Sequence, residues 1–233
     1  MDKENLRLLS GGLVVLLVLS GITAFLIFAN ENKKPPAETI RVACVGDSLT
    51  QSTEYPYDLM SWLGSNYTVR NFGAGSTTIL LNTETPYMNS TPFPSALEFQ
   101  PNIVIIMLGT NDAQPNLKIY NASIVGDYLT LVHAFEALDS KPKIWLVLPP
   151  PIFSDQGGKI DPEYFKLTII PSIQQAANQT NLSTVDVYSA LAGYPNYFPD
   201  GVHPNGSAAR LIAEEIYKTV FQQNTSSAAP LGF

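Results

Sequence analysis

Five short apolar runs recur along the chain, and each has the length of one β-strand. Several are almost continuously apolar, which is typical of parallel strands that are covered by helices on both faces. These runs predict strands at Ile40–Val45, Tyr67–Asn71, Ile103–Leu108, Ile144–Leu148 and Leu182–Val187.

Segments between these runs have helical periodicity. The predicted helices are Pro56–Leu63, Ile124–Leu138, Glu163–Asn178 and Ser207–Phe221. Pro171 is expected to begin or kink the third of them, because proline cannot donate a backbone hydrogen bond. The last helix has an apolar face with four-residue spacing, formed by Ala208, Ile212, Ile216 and Val220.

The alternation of strands and helices predicts a doubly wound α/β fold with right-handed crossovers. Residues 82–101 lack periodicity and are expected to form a long loop, with room for a short helix near Ser95–Phe99. We assign the α/β domain to residues 39–223 and a disordered tail to residues 224–233.

An apolar segment, Leu8–Ala29, precedes this domain and is long enough to span a bilayer. It is long for a signal-peptide core, and no clean small-residue cleavage site follows it. We therefore expect residues 1–30 to form an uncleaved transmembrane anchor, with a cleaved signal and a secreted protein as the alternative. Residues 31–38, which contain Pro35 and Pro36, are then a short linker.

Positive charges flank the apolar segment in nearly equal number on both sides, so the positive-inside rule does not determine its orientation. Glycosylation sequons, which are useful only outside the cytosol, favour an extracytoplasmic domain, although a surface rich in Asn, Ser and Thr would also produce them. The sequons begin at Asn66, Asn89, Asn121, Asn178, Asn181, Asn205 and Asn224.

The net charge of −7 makes nucleic acid an unexpected partner, because an acidic protein repels phosphate backbones. Cys44 is the only cysteine, so no internal disulfide can form, and we expect a buried apolar role for it. One cysteine and two histidines exclude a zinc site of the Cys/His type. The composition does not exclude a calcium site built from carboxylates.

Ser48 follows the first predicted strand in the sequence Gly46-Asp47-Ser48 and is the candidate nucleophile. A serine hydroxyl needs a base, which is usually histidine near neutral pH. His133 lies away from the apolar face of its helix and is expected to be an ordinary exposed residue. His203 is therefore the candidate base, and Asp200, three residues before it, can orient the imidazole.

Three groups could donate hydrogen bonds to an oxyanion beside Ser48. They are the Ser48 N–H at the start of a following helix, the Gly73 N–H and the Asn111 side-chain amide. Ser48, Gly73, Asn111 and the Asp200–His203 segment all follow predicted strands. In open parallel sheets, ligand sites form at the carboxyl ends of the strands.

Four blocks in this order resemble the SGNH hydrolase superfamily, also called GDSL esterases and lipases. They are Gly46-Asp47-Ser48-Leu49, Asn71-Phe72-Gly73, Gly109-Thr110-Asn111-Asp112 and Asp200-Gly201-Val202-His203-Pro204-Asn205. The resemblance implies a flavodoxin-like α/β/α sandwich with a five-stranded parallel sheet. It also implies a catalytic Ser48, His203 and Asp200, an oxyanion hole formed by Ser48, Gly73 and Asn111, and no cofactor.

Within that superfamily, the chain is similar to carbohydrate O-acetylesterases of the sialate-acetylesterase type. It has Ala113-Gln114-Pro115 where many of those proteins have Ser-Lys-Pro, so a lysine that could bind an anionic sugar is absent. We expect a serine esterase that removes acetyl or other short acyl groups, with a carbohydrate or small-molecule ester as substrate. The alternatives are a lysophospholipase or thioesterase and, from a different class, a carbohydrate-binding module without catalysis.

Overall fold

A computed structural model describes residues 39–222. Its centre is a five-stranded sheet with the strand order β2-β1-β3-β4-β5, and every neighbouring pair is parallel. The strands are β1 (Ile40–Gly46), β2 (Tyr67–Gly73), β3 (Ile103–Met107), β4 (Lys143–Leu148) and β5 (Ser183–Asp186).

Helices connect consecutive strands and cover both faces of the sheet. The α-helices are α1 (Ser48–Gln51), α2 (Tyr55–Leu63), α3 (Pro92–Glu98), α4 (Ile124–Glu136), α5 (Pro162–Tyr164), α6 (Ile170–Thr180), α7 (Val187–Leu191) and α8 (Gly206–Ile216). The 3₁₀ helices are Gly64–Asn66, Tyr87–Asn89, Asn111–Ala113, Pro115–Ser123 and Pro195–Tyr197. The π-helical turns are Phe165–Ile169 and Tyr217–Gln222.

Alternate side chains of the central strands enter two separate cores. In β1, Ala43 and Val45 belong to one core, whereas Val42 and Cys44 belong to the other, and all four are fully buried. This arrangement explains why the strand is almost continuously apolar, since both faces of a parallel sheet are removed from water. It also confirms that Cys44 is a buried apolar residue.

Each core is completed by one layer of helices. Helices α3, α4 and α6 contribute to the core that contains Ala43, and α4 supplies two of its large buried rings, Tyr128 and Phe135. Helices α2, α7 and α8 contribute to the opposite core. The four residues that were predicted to form the apolar face of the last helix are all buried there. The structure is therefore a three-layer α/β/α sandwich.

The five predicted strands are confirmed to within about two residues, and the predicted helices are also present. The third one is divided, because α5 and a π-helical turn precede α6, in which Pro171 is the second residue. The short helix in the 82–101 loop begins at Pro92 rather than near Ser95. Helix α7 was not predicted, since it has only five residues and no repeated apolar face.

The predicted anchor, linker and tail lie outside the described residues. Among residues 39–222, no helix is both long enough and apolar enough to cross a membrane.

Gly73 and Gly126 form a contrasting pair for substitution by alanine. A Cβ atom on Gly73 would lie 2.2 Å from the backbone nitrogen of Gln51 in α1, whereas one on Gly126 would lie in open space. We expect Gly73→Ala to destabilise the protein by about 1–3 kcal/mol, because backbone atoms must move. Gly126→Ala, at an exposed position of α4, should instead stabilise it by about 0.5–1 kcal/mol. Urea unfolding measures both values, and equal effects would contradict the close contact at Gly73.

Candidate active site

Ser48 begins a one-turn helix directly beyond the carboxyl end of β1. The preceding residue, Asp47, caps this helix, because its Oδ1 atom accepts a hydrogen bond of 2.8 Å from the Leu49 N–H. No hydrogen-bond partner of the Ser48 N–H occurs within residues 39–222. The prediction that Ser48 starts a helix is therefore confirmed, and its N–H is available to a ligand.

The structure brings Ser48, His203 and Asp200 into one hydrogen-bonded chain. Ser48 Oγ lies 3.0 Å from His203 Nε2, and His203 Nδ1 lies 2.6 Å from Asp200 Oδ2. If Nδ1 carries the proton that bonds to Asp200, then Nε2 is free to accept the serine proton. The fold thus joins residues that are 155 positions apart in the sequence.

The tight turn after Asp200 holds its carboxylate in place. Oδ1 accepts hydrogen bonds from the backbone N–H groups of Val202 and His203, at 2.9 and 2.7 Å. Partial burial of Asp200 is the largest single effect on its pKa and raises it. The bonds from His203 and Val202 together outweigh that effect and lower the pKa to about 2. Asp200 is therefore ionised at neutral pH and accepts a hydrogen bond from the imidazole of His203.

The loop after β2 passes beside Ser48, but it does not offer the Gly73 N–H. That N–H donates to Asn71 Oδ1 at 2.9 Å, while Asn71 Nδ2 donates to the Thr50 carbonyl oxygen in α1. Gly73 is also absent from the lining of the cavity at Ser48. The structure therefore does not present the Gly73 N–H to this cavity as the predicted oxyanion donor, because Asn71 Oδ1 already accepts a hydrogen bond from it.

Ser76, in the same loop, lines that cavity instead. Its φ angle of 63° turns the backbone into the left-handed region, and no described residue accepts a hydrogen bond from its N–H. Sequence reasoning missed this residue, because serine rarely adopts a positive φ angle. The available signal was the run Gly73-Ala74-Gly75 before it, which permits an unusual turn but does not identify the donor.

Asn111 follows β3 and lines the cavity together with Ser48, Ser76 and His203. Its Nδ2 atom donates one hydrogen bond of 2.9 Å to the Thr77 carbonyl oxygen, which leaves its second N–H for a ligand. The cavity has a volume of about 620 Å³. The Ser48 N–H, the Ser76 N–H and the second amide N–H of Asn111 thus belong to residues that line one cavity, and stabilisation of an oxyanion requires donors of this kind.

The other sequence candidates lie outside this site. His133 is exposed on α4, with Glu136 at 3.9 Å, as predicted. Burial raises the pKa of the Cys44 thiol to about 12, which makes a reactive thiolate unavailable at neutral pH. Within residues 39–222, no group of three or more His, Cys, Asp or Glu side chains could hold a metal ion.

A family model for GDSL-like lipases and acylhydrolases matches residues 44–211, which include all of these residues. The chain belongs to this family. It is therefore a member of the SGNH hydrolase superfamily of ester hydrolases, as the resemblance in its sequence implied.

Relatives of this GDSL-like hydrolase include proteins with named esterase activities. It is 32% identical, over 208 residues, to an acetylxylan esterase from Xylanibacter ruminicola, a match that covers 78% of this chain and 43% of the relative. The chain therefore spans less than half the length of that protein.

Solved structures with similar folds include two esterases. A carbohydrate acetylesterase from Sinorhizobium meliloti superposes with a TM-score of 0.65 at 21% identity, covering 78% of this chain and 99% of that one. The aryl esterase of M. smegmatis gives a TM-score of 0.62 at 21% identity, with coverage of 77% and 99%. At these identities the similarity establishes the fold alone.

Two buried carboxyl groups lie behind the site of this GDSL-like hydrolase. Burial raises the pKa of Asp47 to about 7 and that of Asp112 to about 6. Asp112 accepts hydrogen bonds from the N–H groups of Ile79 and Leu80, both at 3.0 Å. Its carboxyl group thereby connects the segment after β3 to the loop after β2.

Replacing Asp47 with asparagine should change how stability depends on pH. Between about pH 4 and 7, folded Asp47 keeps a proton that the unfolded chain loses, so its contribution to stability decreases as the pH rises through this window. Asparagine can still accept the Leu49 N–H bond and does not titrate. The free energy of unfolding of Asp47→Asn, relative to wild type, should therefore increase by up to about 1.4 kcal/mol per pH unit in this range.

Urea unfolding at pH 5, 6, 7 and 8 measures this difference. Asp139→Asn, which removes an exposed carboxylate, is the matched control and should give a nearly constant difference. A constant difference for Asp47→Asn as well would mean that the folded state does not retain the Asp47 proton.

Proposed function

We propose that this protein is a serine esterase that removes acetyl or other short acyl groups from a carbohydrate ester. The observation that carries the proposal is the hydrogen-bonded chain from Ser48 Oγ through His203 to Asp200, at 3.0 and 2.6 Å. An activated serine next to unpaired N–H donors is the arrangement that acyl transfer requires.

The first half of the reaction forms an acyl-enzyme. Ser48 Oγ attacks the ester carbonyl carbon, and its proton moves to His203 Nε2. The N–H groups of Ser48 and Ser76 and the free N–H of Asn111 stabilise the oxyanion that develops. The C–O bond to the alcohol then breaks, and His203 returns the proton to the departing alcohol oxygen.

The second half regenerates the free enzyme. Water attacks the acyl carbon while His203 Nε2 accepts one of its protons, and the same three N–H donors stabilise the second oxyanion. The bond to Ser48 Oγ breaks, the serine regains its proton from His203, and the carboxylic acid departs. Every proton transfer in this cycle therefore takes place between Ser48, His203, water and the departing alcohol.

Two observations support a short acyl group on a carbohydrate. The relative that shares 32% identity is an acetylxylan esterase, and a structure with the same fold is a carbohydrate acetylesterase. The cavity at Ser48 has both polar and apolar lining. Its apolar side chains are Pro115, Ile160 and Val202. A small acyl group would fill that apolar part, whereas a lysophospholipase or thioesterase would need a longer apolar channel.

A series of p-nitrophenyl esters tests the acyl preference. We expect kcat/KM for the acetate to exceed that for the octanoate by at least about tenfold, because a long chain would leave apolar surface in contact with polar groups. Ser48→Ala should lower kcat by at least about a thousandfold while the protein stays folded. A preference for octanoate would favour the lipid alternative, and full activity of Ser48→Ala would contradict the serine mechanism.

We further propose that residues 1–30 anchor the protein and that the domain faces the extracytoplasmic side. The apolar segment and the glycosylation sequons support this topology. Protease added to intact cells should degrade the domain, while a cytosolic marker protein stays intact. Complete protection of the domain, together with its degradation after lysis, would contradict the outward orientation.

A further inference from the structure

A second cavity adjoins the one at Ser48. It lies between residues 78–85 and residues 114–120, has a volume of about 380 Å³, and is called the side cleft below. Gln114 and Asn116 line both cavities. The two cavities are therefore neighbours, and these two residues contribute to both.

One wall of the side cleft is a loop whose shape is set by internal hydrogen bonds. The Thr78 N–H donates to the Thr85 carbonyl oxygen at 3.0 Å, and the hydroxyls of Thr78 and Thr83 lie 2.6 Å apart. The Leu81 N–H donates to Asp127 Oδ2 in α4 at 3.0 Å. The loop is thus connected to the helix layer, and the side cleft is formed before any ligand binds.

Several other side chains of the side cleft have unused hydrogen-bonding groups. The amides of Asn82, Gln114 and Asn116, the carboxylate of Glu84 and the hydroxyl of Tyr120 have no hydrogen-bond partner within residues 39–222. Tyr120 also packs against the buried core, which holds its ring in position. Polar groups with free donors and acceptors, together with a fixed ring, thus converge on one cavity.

The charges in the side cleft limit the chemistry of its ligand. Lysine and arginine are absent from its lining, and Glu84 is its single ionisable carboxylate. Phosphate and carboxylate ligands are normally bound by arginine or lysine, so an anionic ligand is disfavoured. Amides match the paired donor and acceptor character of sugar hydroxyls, and an aromatic ring offers a flat apolar surface.

We propose that the side cleft binds an uncharged sugar residue of the substrate, next to the sugar whose acyl group lies at Ser48. The inference rests on the proposed esterase function. It extends that function to the molecule that carries the acyl group, which would be a neutral oligosaccharide or polysaccharide. Asn82 and Tyr120 bind this second sugar and take no part in the chemical steps at Ser48.

Kinetics of the full chain on substrates of two sizes test the proposal. The probes are p-nitrophenyl acetate, which is too small to reach the side cleft, and an acetylated neutral xylo-oligosaccharide. For the oligosaccharide, Asn82→Ala and Tyr120→Ala should each raise KM by about two- to tenfold with little change in kcat, since each removes a contact that is made equally in the ground and transition states. For p-nitrophenyl acetate, both constants should stay within about twofold of wild type.

Two further variants act as controls. Tyr57→Ala removes a tyrosine that is 61% exposed on α2, outside both cavities, and should behave as wild type on either substrate. Tyr120→Phe retains the ring and loses the hydroxyl, so it should recover part of the oligosaccharide affinity. Because Asn82 is exposed, its substitution should leave the fold intact even if Tyr120→Ala is unstable.

The outcomes separate this inference from the function on which it rests. If wild type hydrolyses p-nitrophenyl acetate but neither variant changes KM for the oligosaccharide, the side cleft does not bind a sugar. Equal losses on both substrates would also overturn the inference, because the residues would then act on the catalytic groups. If wild type hydrolyses no ester at all, the esterase proposal itself fails.

Discussion

All five parallel strands end at the same edge of the sheet, and the arrangement around Ser48 depends on that alignment. Ser48 follows β1, Ser76 follows β2, Asn111 follows β3 and His203 follows β5, so four distant segments meet beyond one edge. The alignment is stable because both faces of the central strands are buried, which fixes the register of each strand against its neighbours. A slip of one residue would reverse which side chains enter each core.

Loops at that edge are held by polar side chains. Asn71 joins the end of β2 to α1, and Asp112 joins the segment after β3 to the loop after β2. Buried carboxyl groups are unfavourable unless they are hydrogen-bonded or protonated, and burial raises the pKa of Asp112 accordingly. These bonds hold the loop after β2 in position before a substrate arrives, and preorganised groups are the condition for efficient oxyanion stabilisation.

The same hydrogen-bonded loop connects the Ser48 cavity to the side cleft. Thr85 Oγ1 donates to the carbonyl oxygen of Ser76, which lines the Ser48 cavity, while the Thr85 carbonyl oxygen accepts the bond from the Thr78 N–H. The loop after β2 therefore contributes both to the proposed chemistry and to the proposed recognition of the acylated carbohydrate. Such an arrangement allows the binding of a sugar to position the ester without any movement of the catalytic groups.

The sequence by itself determined the layer structure and predicted most of the residues of the proposed site. Apolar runs located the strands, and the count of histidines together with the Asp200–His203 spacing indicated the base and its partner. These features are local, or follow from a rule about where strands end. Tertiary structure alone decided that the Gly73 N–H donates to Asn71 Oδ1 and that Ser76, with its left-handed backbone, lines the cavity. Both depend on contacts between the loop after β2 and its neighbours, and residue spacing along a chain carries no information about which of several nearby acceptors a backbone N–H will meet.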